Sequence, residues 1–204
     1  MPIFPLEGVV LFPGCPLPLH IFEPRYRAMT REVLANFGAM AVVPIAPGAA
    51  DAHGNPPVAR IAGVGLVVEH ERFPDGRYHL TLRGEARVAL EELPFEPPFR
   101  RARATVLEDH GPDPDAYDLR AARALAGEFL ALLKSKRPDL KIELPRDEPG
   151  VLGADLLAQR MVADPEERQA LLETRSPRER VRRLLGALAA QRAMFHSTPP
   201  GRGN

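Results

Sequence analysis

Apolar and polar residues alternate along residues 77–90. Tyr78, Leu80, Leu82, Ala86, Val88 and Leu90 stand on one side, and His79, Thr81, Arg83, Glu85 and Arg87 on the other. A period of two predicts a strand with one buried face. Gly84 breaks the apolar row, which predicts a bulge or a bend at a barrel corner. Val64, Leu66 and Val68 alternate in the same way upstream, and Phe73-Pro74-Asp75-Gly76-Arg77 between the two runs has tight-turn chemistry. The pattern therefore predicts a long antiparallel hairpin over 61–72 and 77–91. Further strands are expected over 39–45 and 99–108, with a mobile loop over 46–57. One helix interrupts these strands. Glu23-Pro24 can start it, Tyr26, Met29, Val33, Leu34 and Phe37 recur at helical spacing, and Gly38 ends it.

Past residue 110 the period changes to that of helices. Leu119, Ala122, Ala126, Phe129 and Leu133 form one stripe over 115–136, closed by Pro138. A second helix is expected over 151–163. Asp164-Pro165-Glu166-Glu167 and Ser176-Pro177-Arg178-Glu179 share one helix-start grammar, a capping side chain followed by Pro and then Glu. Val181, Leu184, Leu185, Leu188 and Phe195 mark the last helix. The organisation expected is a β-rich region with one inserted helix over 1–110, a helical region over 111–196, and a disordered tail over 197–204.

Charge narrows the classes of partner. The chain has 27 basic and 27 acidic residues, and neither half departs far from balance: 11 against 13 before residue 111, 16 against 14 after it. A nucleic-acid groove has no compositional support. The 23 prolines favour short elements over long regular ones. Cys15 is the single cysteine, which rules out an intrachain disulfide and suits a reducing cytoplasm. The apolar N-terminus lacks a basic leader and is broken by Pro, so neither a signal peptide nor a membrane span is expected.

The chemistry of catalysis is hard to find. The three lysines, 134, 136 and 141, follow no glycine loop, so no phosphate cradle is expected. Gly63-Val64-Gly65 lies within a strand pattern and reads as close backbone packing. The six histidines show no HxxxH pair, and His70 and Glu71 alternate to opposite faces, so no metal or other cofactor is expected. Cys15 and His20 could be cast as a nucleophile and its base. Cys15 among Pro13, Gly14 and Pro16 reads instead as a small buried hydrophobe. Ser135 stands at a helix end between two lysines, a solvated position.

Residues 6–29, LEGVVLFPGCPLPLHIFEPRYRAM, resemble the opening signature of the Lon protease N-terminal domain family. GVGLVVEHERFPDGRYHLTLRGEARVALEEL at 63–93 is similar to that family's hairpin. DLLAQRMVADPEERQALLETRSPRERVRRLLGAL at 155–188 is similar to its closing helices. The resemblance implies an α+β fold, a PUA-like β pseudo-barrel followed by a C-terminal α-helical bundle. It also implies a substrate-recognition role without the ATPase and Ser-Lys peptidase parts, hence no enzyme.

The leading expectation is a binding module for unfolded or client polypeptides, working with a separate protease or ATPase as a further candidate partner. Phe12, Pro13, Leu17, Pro18, Leu19 and Phe22 form an apolar, Pro-punctuated stretch suited to such a surface, and equally suited to closing the core. Arg25 and Tyr26 are candidates for its rim, with helix-start packing the plainer placement. RNA binding is the alternative, by analogy of fold alone. A hydrolase built on Cys15 and His20 is the third.

Overall fold

The long hairpin is the spine of the first half of the chain. In the structure, a computed structural model, its strands are β4 (Ile61–Arg72) and β5 (Tyr78–Glu92), following β1 (Ile3–Leu6), β2 (Pro16–Ile21), helix α1 (Pro24–Ala35) and β3 (Ala39–Pro44), and preceding β6 (Ala102–Leu107). Residues 1–145 and 147–197 are described; the expected tail lies outside them from residue 198 on. The contacts divide the chain into two compact units, Met1–Glu108 and a second beginning at Asp109.

In the first unit, β1 runs parallel to β3, and the remaining pairings are antiparallel, in the order β1-β3-β4-β5-β2, with β6 also on β5. β6 returns to β1: Ile3 N–H donates to Arg100 O at 3.1 Å, and Ala102 N–H to Met1 O at 3.0 Å. This closes five strands into a barrel, and each contributes to its filling. Ile3, Ala41, Val43, Ala62, Val88 and Ala102 form one buried cluster. Mostly small and β-branched side chains fit so narrow an interior. β3 is buried on both faces, because Met40 and Val42 alternate with Ala41 and Val43.

The expected single apolar row on β5 is corrected by a bulge. Val64 pairs with Ala86 but Gly65 pairs with Gly84, so β5 carries one extra residue there. A bulge reverses which face later residues take. A Cβ on Gly84 would stand 2.0 Å from Phe12 O, and one on Gly63, the partner of Arg87, 1.9 Å from Leu11 O. Gly84 and Arg87 therefore face the same segment although they are three residues apart. Leu82 packs under that segment, while Val88 points into the barrel. Arg87, expected on the solvated face, is buried with its guanidinium 5.9 Å from the Phe12 ring centre. Gly63 and Gly84 form a bed on which the Leu11–Phe12 backbone lies, and Gly65 leaves room for the Leu11 side chain.

Pro74 and Asp75 begin the hairpin turn, and Gly76 completes it at φ 84°. Gly76 N–H donates to Phe73 O and Phe73 N–H to Arg77 O, each at 2.9 Å, the arrangement of a type I turn closed by a left-handed glycine. Pro24 opens α1 at its first turn. Tyr26, Met29 and Val33 are buried as expected, but Phe37 is 93% exposed. The helix stops at Ala35, so Phe37 falls out of helical phase.

The second unit holds α2 (Ala116–Lys136), α3 (Gly150–Met161), α4 (Pro165–Glu173) and α5 (Pro177–Ser197). Asp115 and Asp164 cap α2 and α4, accepting from Tyr117 N–H at 2.7 Å and Glu166 N–H at 2.9 Å. Val181, Leu184 and Leu188 of α5 are fully buried, as are Ala122, Ala126, Leu171 and Leu172. Arg180 is also fully buried, forming ion pairs with Asp109 and with Asp155, the latter at 3.4 Å, and donating to Thr174 O at 2.8 Å. The residues before α2 are thereby tied to this unit, and His110 N–H adds a bond to Arg175 O at 3.1 Å. No helix among the described residues is long and apolar enough to cross a membrane.

Candidate functional site

Strand β2 ends at Ile21, and α1 starts three residues later, so the chain turns sharply at Phe22. The turn leaves the Phe22 ring 59% exposed while Ile21 and Tyr26 on either side are buried. Phe22 stands at the mouth of a cleft of about 320 Å³ within the first unit. Phe4, Tyr26, Phe95 and Phe99 supply further aromatic walls. Phe4 and Tyr26 pack at 4.5 Å between ring centres. Burial pushes the Tyr26 phenol above its ordinary value of 10.0, which the Arg25 charge partly opposes.

The polar rim is internally neutralised. Arg25 lies 4.5 Å over the Tyr26 ring and pairs with Glu23 at 2.9 Å. Arg100 pairs with Glu92 at 2.6 Å and donates to Pro56 O at 2.7 Å, which fixes the 54–56 wall of the cleft. That wall belongs to the loop expected to be mobile, which contains a hydrogen-bonded turn. Asp51 accepts from His53 N–H at 2.8 Å and Asn55 N–H at 2.9 Å, and these donors, Asn55 first, hold its carboxyl below the ordinary carboxylate value. His53 packs on Phe95 at 5.2 Å.

Of the residues singled out from the sequence, the cleft brings together His20, Phe22, Arg25 and Tyr26. Phe12 is fully buried over the glycine bed, so it belongs to the core and offers no contact surface. Pro13 is half-buried, Leu17 and Leu19 are half-buried on β2, and Pro18 is exposed there. Phe4, Asn55, Phe95, Phe99 and Arg100 were missed. The Phe95-Glu96-Pro97-Pro98-Phe99 run, two aromatics bracketing prolines, was the available signal.

Cys15 is buried and His20 exposed, with the extended β2 between them. Five residues of strand separate their Cα atoms by about 16 Å, so they form no dyad. Ser135 Oγ donates to Leu132 O at 2.8 Å within its own helix. The arginine cluster that RNA would need is spent on carboxylates: Arg100 on Glu92, Arg101 on Glu32 and Arg103 on Glu91.

A β pseudo-barrel followed in sequence by a helical bundle is the fold found at the N-terminus of Lon proteases. The family model described as "ATP-dependent protease La (LON) substrate-binding domain" matches residues 1–190, and the chain belongs to that family. It is 30% identical over 203 residues to a Lon protease of Roseiflexus castenholzii and 31% identical over 207 residues to Lon protease 2 of Myxococcus xanthus. Each alignment takes in 96% of this chain and 24% of the relative, so the chain spans about a quarter of the curated relatives it matches. Among solved structures, a Lon N-terminal domain protein from Xanthomonas campestris superposes with a TM-score of 0.66 at 22% identity, covering 91% of this chain and 96% of that one. The N-terminal domain of a Mycobacterium avium complex Lon protease gives a TM-score of 0.62 at 16% identity, covering 92% and 97%. These likenesses confirm the α+β fold.

Proposed function

We propose that the protein is a non-catalytic recognition module that captures client polypeptides in an unfolded state, with an apolar side chain of the client entering the Phe22–Tyr26 cleft. The observation that carries this is the cleft itself: aromatic walls, a neutralised rim and one large aromatic ring exposed at its mouth. A volume of about 320 Å³ suits one or two side chains, at the small end of ligand sites. Exposed aromatic anchors beside a desolvated pocket are the usual source of binding energy at protein surfaces.

Capture proceeds through side chains and not through strand addition. β2 is the edge of the sheet. Gly84 N–H donates to Cys15 O at 2.9 Å, so residues 15, 17, 19 and 21 turn their backbone groups toward β5, and 16, 18 and 20 turn theirs outward. Pro16 and Pro18 thus fall where an added strand would need donors, and they have none. The captured segment passes to a separate ATPase or protease, and a cytoplasmic setting accords with the buried free thiol of Cys15. RNA binding lacks an unneutralised basic stripe at the cleft.

The test is a titration of isotopically labelled protein with a short aromatic-rich peptide, followed by amide chemical shifts. Shifts are expected at Phe22, Tyr26, Asn55 and Arg100, with Gly186 in the helical unit unmoved. Shifts confined to other residues, or none at millimolar peptide, would refute the assignment.

A further inference from the structure

On the outer side of the β4–β5–β2 sheet, four rings form a continuous row. Phe73 meets His79 at 4.8 Å between ring centres, His79 meets His20 at 4.9 Å, and His20 meets Phe22 at 5.9 Å. His20 and His79 lie directly opposite each other in the β2–β5 register. The outward-turned backbone of His20 makes this a non-hydrogen-bonded pair, the kind that brings opposing side chains closest. Both are exposed. We infer that His20 and His79 form a two-imidazole site for a borderline divalent transition ion such as Zn²⁺ or Ni²⁺.

Geometry and chemistry both favour it. Two imidazoles bound to one ion at ~2.0–2.1 Å per nitrogen, with ~90–110° between the bonds, hold their ring centres roughly 4.5–5.2 Å apart. The observed 4.9 Å falls inside that interval; the rings meet edge-on at 64°, so a side-chain rotation that the exposed positions allow is needed to turn a nitrogen of each toward a common point. Imidazole is the preferred neutral ligand for these ions. The edge contact from Phe73 at 82° fixes the His79 ring, so little order is lost on binding. Glu71 stands across from His79 in the β4–β5 register, on the same face. Among the described residues no three ligating side chains gather closely enough to coordinate one ion. The remaining coordination positions fall to water. Because His20 also lines the cleft, the ion sits at the cleft's edge.

The experiment is calorimetric titration of the untagged protein with Zn²⁺ and with Ni²⁺, on wild type and on His20→Ala, His79→Ala, His79→Gln and His70→Ala. His70 pairs with Leu80 and alternates to the other side of β4, which makes it the nearest control. Saturable binding of one equivalent is expected, reversed by a chelator, weakened at least tenfold by each change at His20 or His79 and unchanged by His70→Ala. Thermal melts verify that each variant is folded, and His79→Gln keeps the bulk under Phe73 should His79→Ala loosen the strand. Absence of saturable binding, binding that survives loss of His20 or His79 in folded protein, or equal loss in His70→Ala would overturn the site.

Discussion

Replacing Gly84 by Ala adds one methyl group where two backbones meet. Gly84 is not in the left-handed region, so Ala adopts its backbone conformation without strain and the effect is purely steric. The new Cβ would stand 2.0 Å from Phe12 O and 2.9 Å from Phe12 C. Ordinary contact requires a retreat of more than 1 Å (roughly the shortfall from a normal van der Waals separation) by the backbone itself. That retreat stretches Gly84 N–H to Cys15 O, at 2.9 Å, and Gly14 N–H to Gly84 O, at 2.8 Å. Overpacking costs about 1–3 kcal/mol, and two weakened hydrogen bonds about 1 kcal/mol each. The expected loss is about 3–5 kcal/mol, or a fall in Tm on the order of 10 °C. Urea unfolding followed by circular dichroism measures it, with Gly186→Ala as the control. Gly186 lies within α5 with nothing within 4 Å, so Ala there is expected to add up to ~1 kcal/mol. A Gly84→Ala protein within about 0.5 kcal/mol of wild type would show that the Leu11–Phe12 segment does not rest on these strands.

Three further outcomes are expected. Gly76→Val is expected to lower Tm by several degrees while His53→Ala leaves it within a degree or two, because Gly76 has φ 84° and its Cβ would stand 2.2 Å from an Arg27 guanidinium nitrogen, a strain costing about 1–2 kcal/mol; equal melts would refute the turn. Arg180→Ala removes the buried cation shared by Asp155 and Asp109 and is expected to cost ~3–5 kcal/mol, measured by urea unfolding, whereas a loss under ~1 kcal/mol would mean that the ion pairs are not buried in solution. The depressed carboxyl of Asp51 makes a contribution that is present above the unfolded carboxylate value and lost as pH falls through the lower folded one; an NMR titration of Asp51 with its midpoint at or above 3.8 would contradict the turn it anchors.

The hairpin, the inserted helix and the four-helix region were legible because each rests on local periodicity and local capping, as at Asp115, Asp164 and Gly76. The face reversal on β5 was half legible: Gly84 marked the place, but only the pairing of Val64 and Gly65 reveals the extra residue. β2 was hidden because Pro16 and Pro18 interrupt a strand pattern, and only an edge strand with outward prolines accommodates them. The lining of the candidate cleft was legible where it is local, at Phe22, Arg25 and Tyr26. Phe4, Phe99 and Arg100 reach the cleft through the closure of β1 on β6, which no spacing encodes. Likewise His20 and His79 are brought together by register alone, so a search for short histidine spacings passes over them.

The most direct test of client recognition is a binding titration of a permanently unfolded, reduced and alkylated model protein against wild type, Phe22→Ser and Phe12→Ser. Phe22 is 59% exposed and Phe12 fully buried, so the two variants separate surface from core. Wild type is expected to bind, with an affinity little changed by salt because the rim charges are paired. Phe22→Ser is expected to keep its Tm and bind about tenfold more weakly, a loss near 1.4 kcal/mol. Phe12→Ser is expected to lose folding stability, by about 3–5 kcal/mol. No binding by wild type, binding abolished by salt, or full affinity in a folded Phe22→Ser protein would contradict recognition through the cleft.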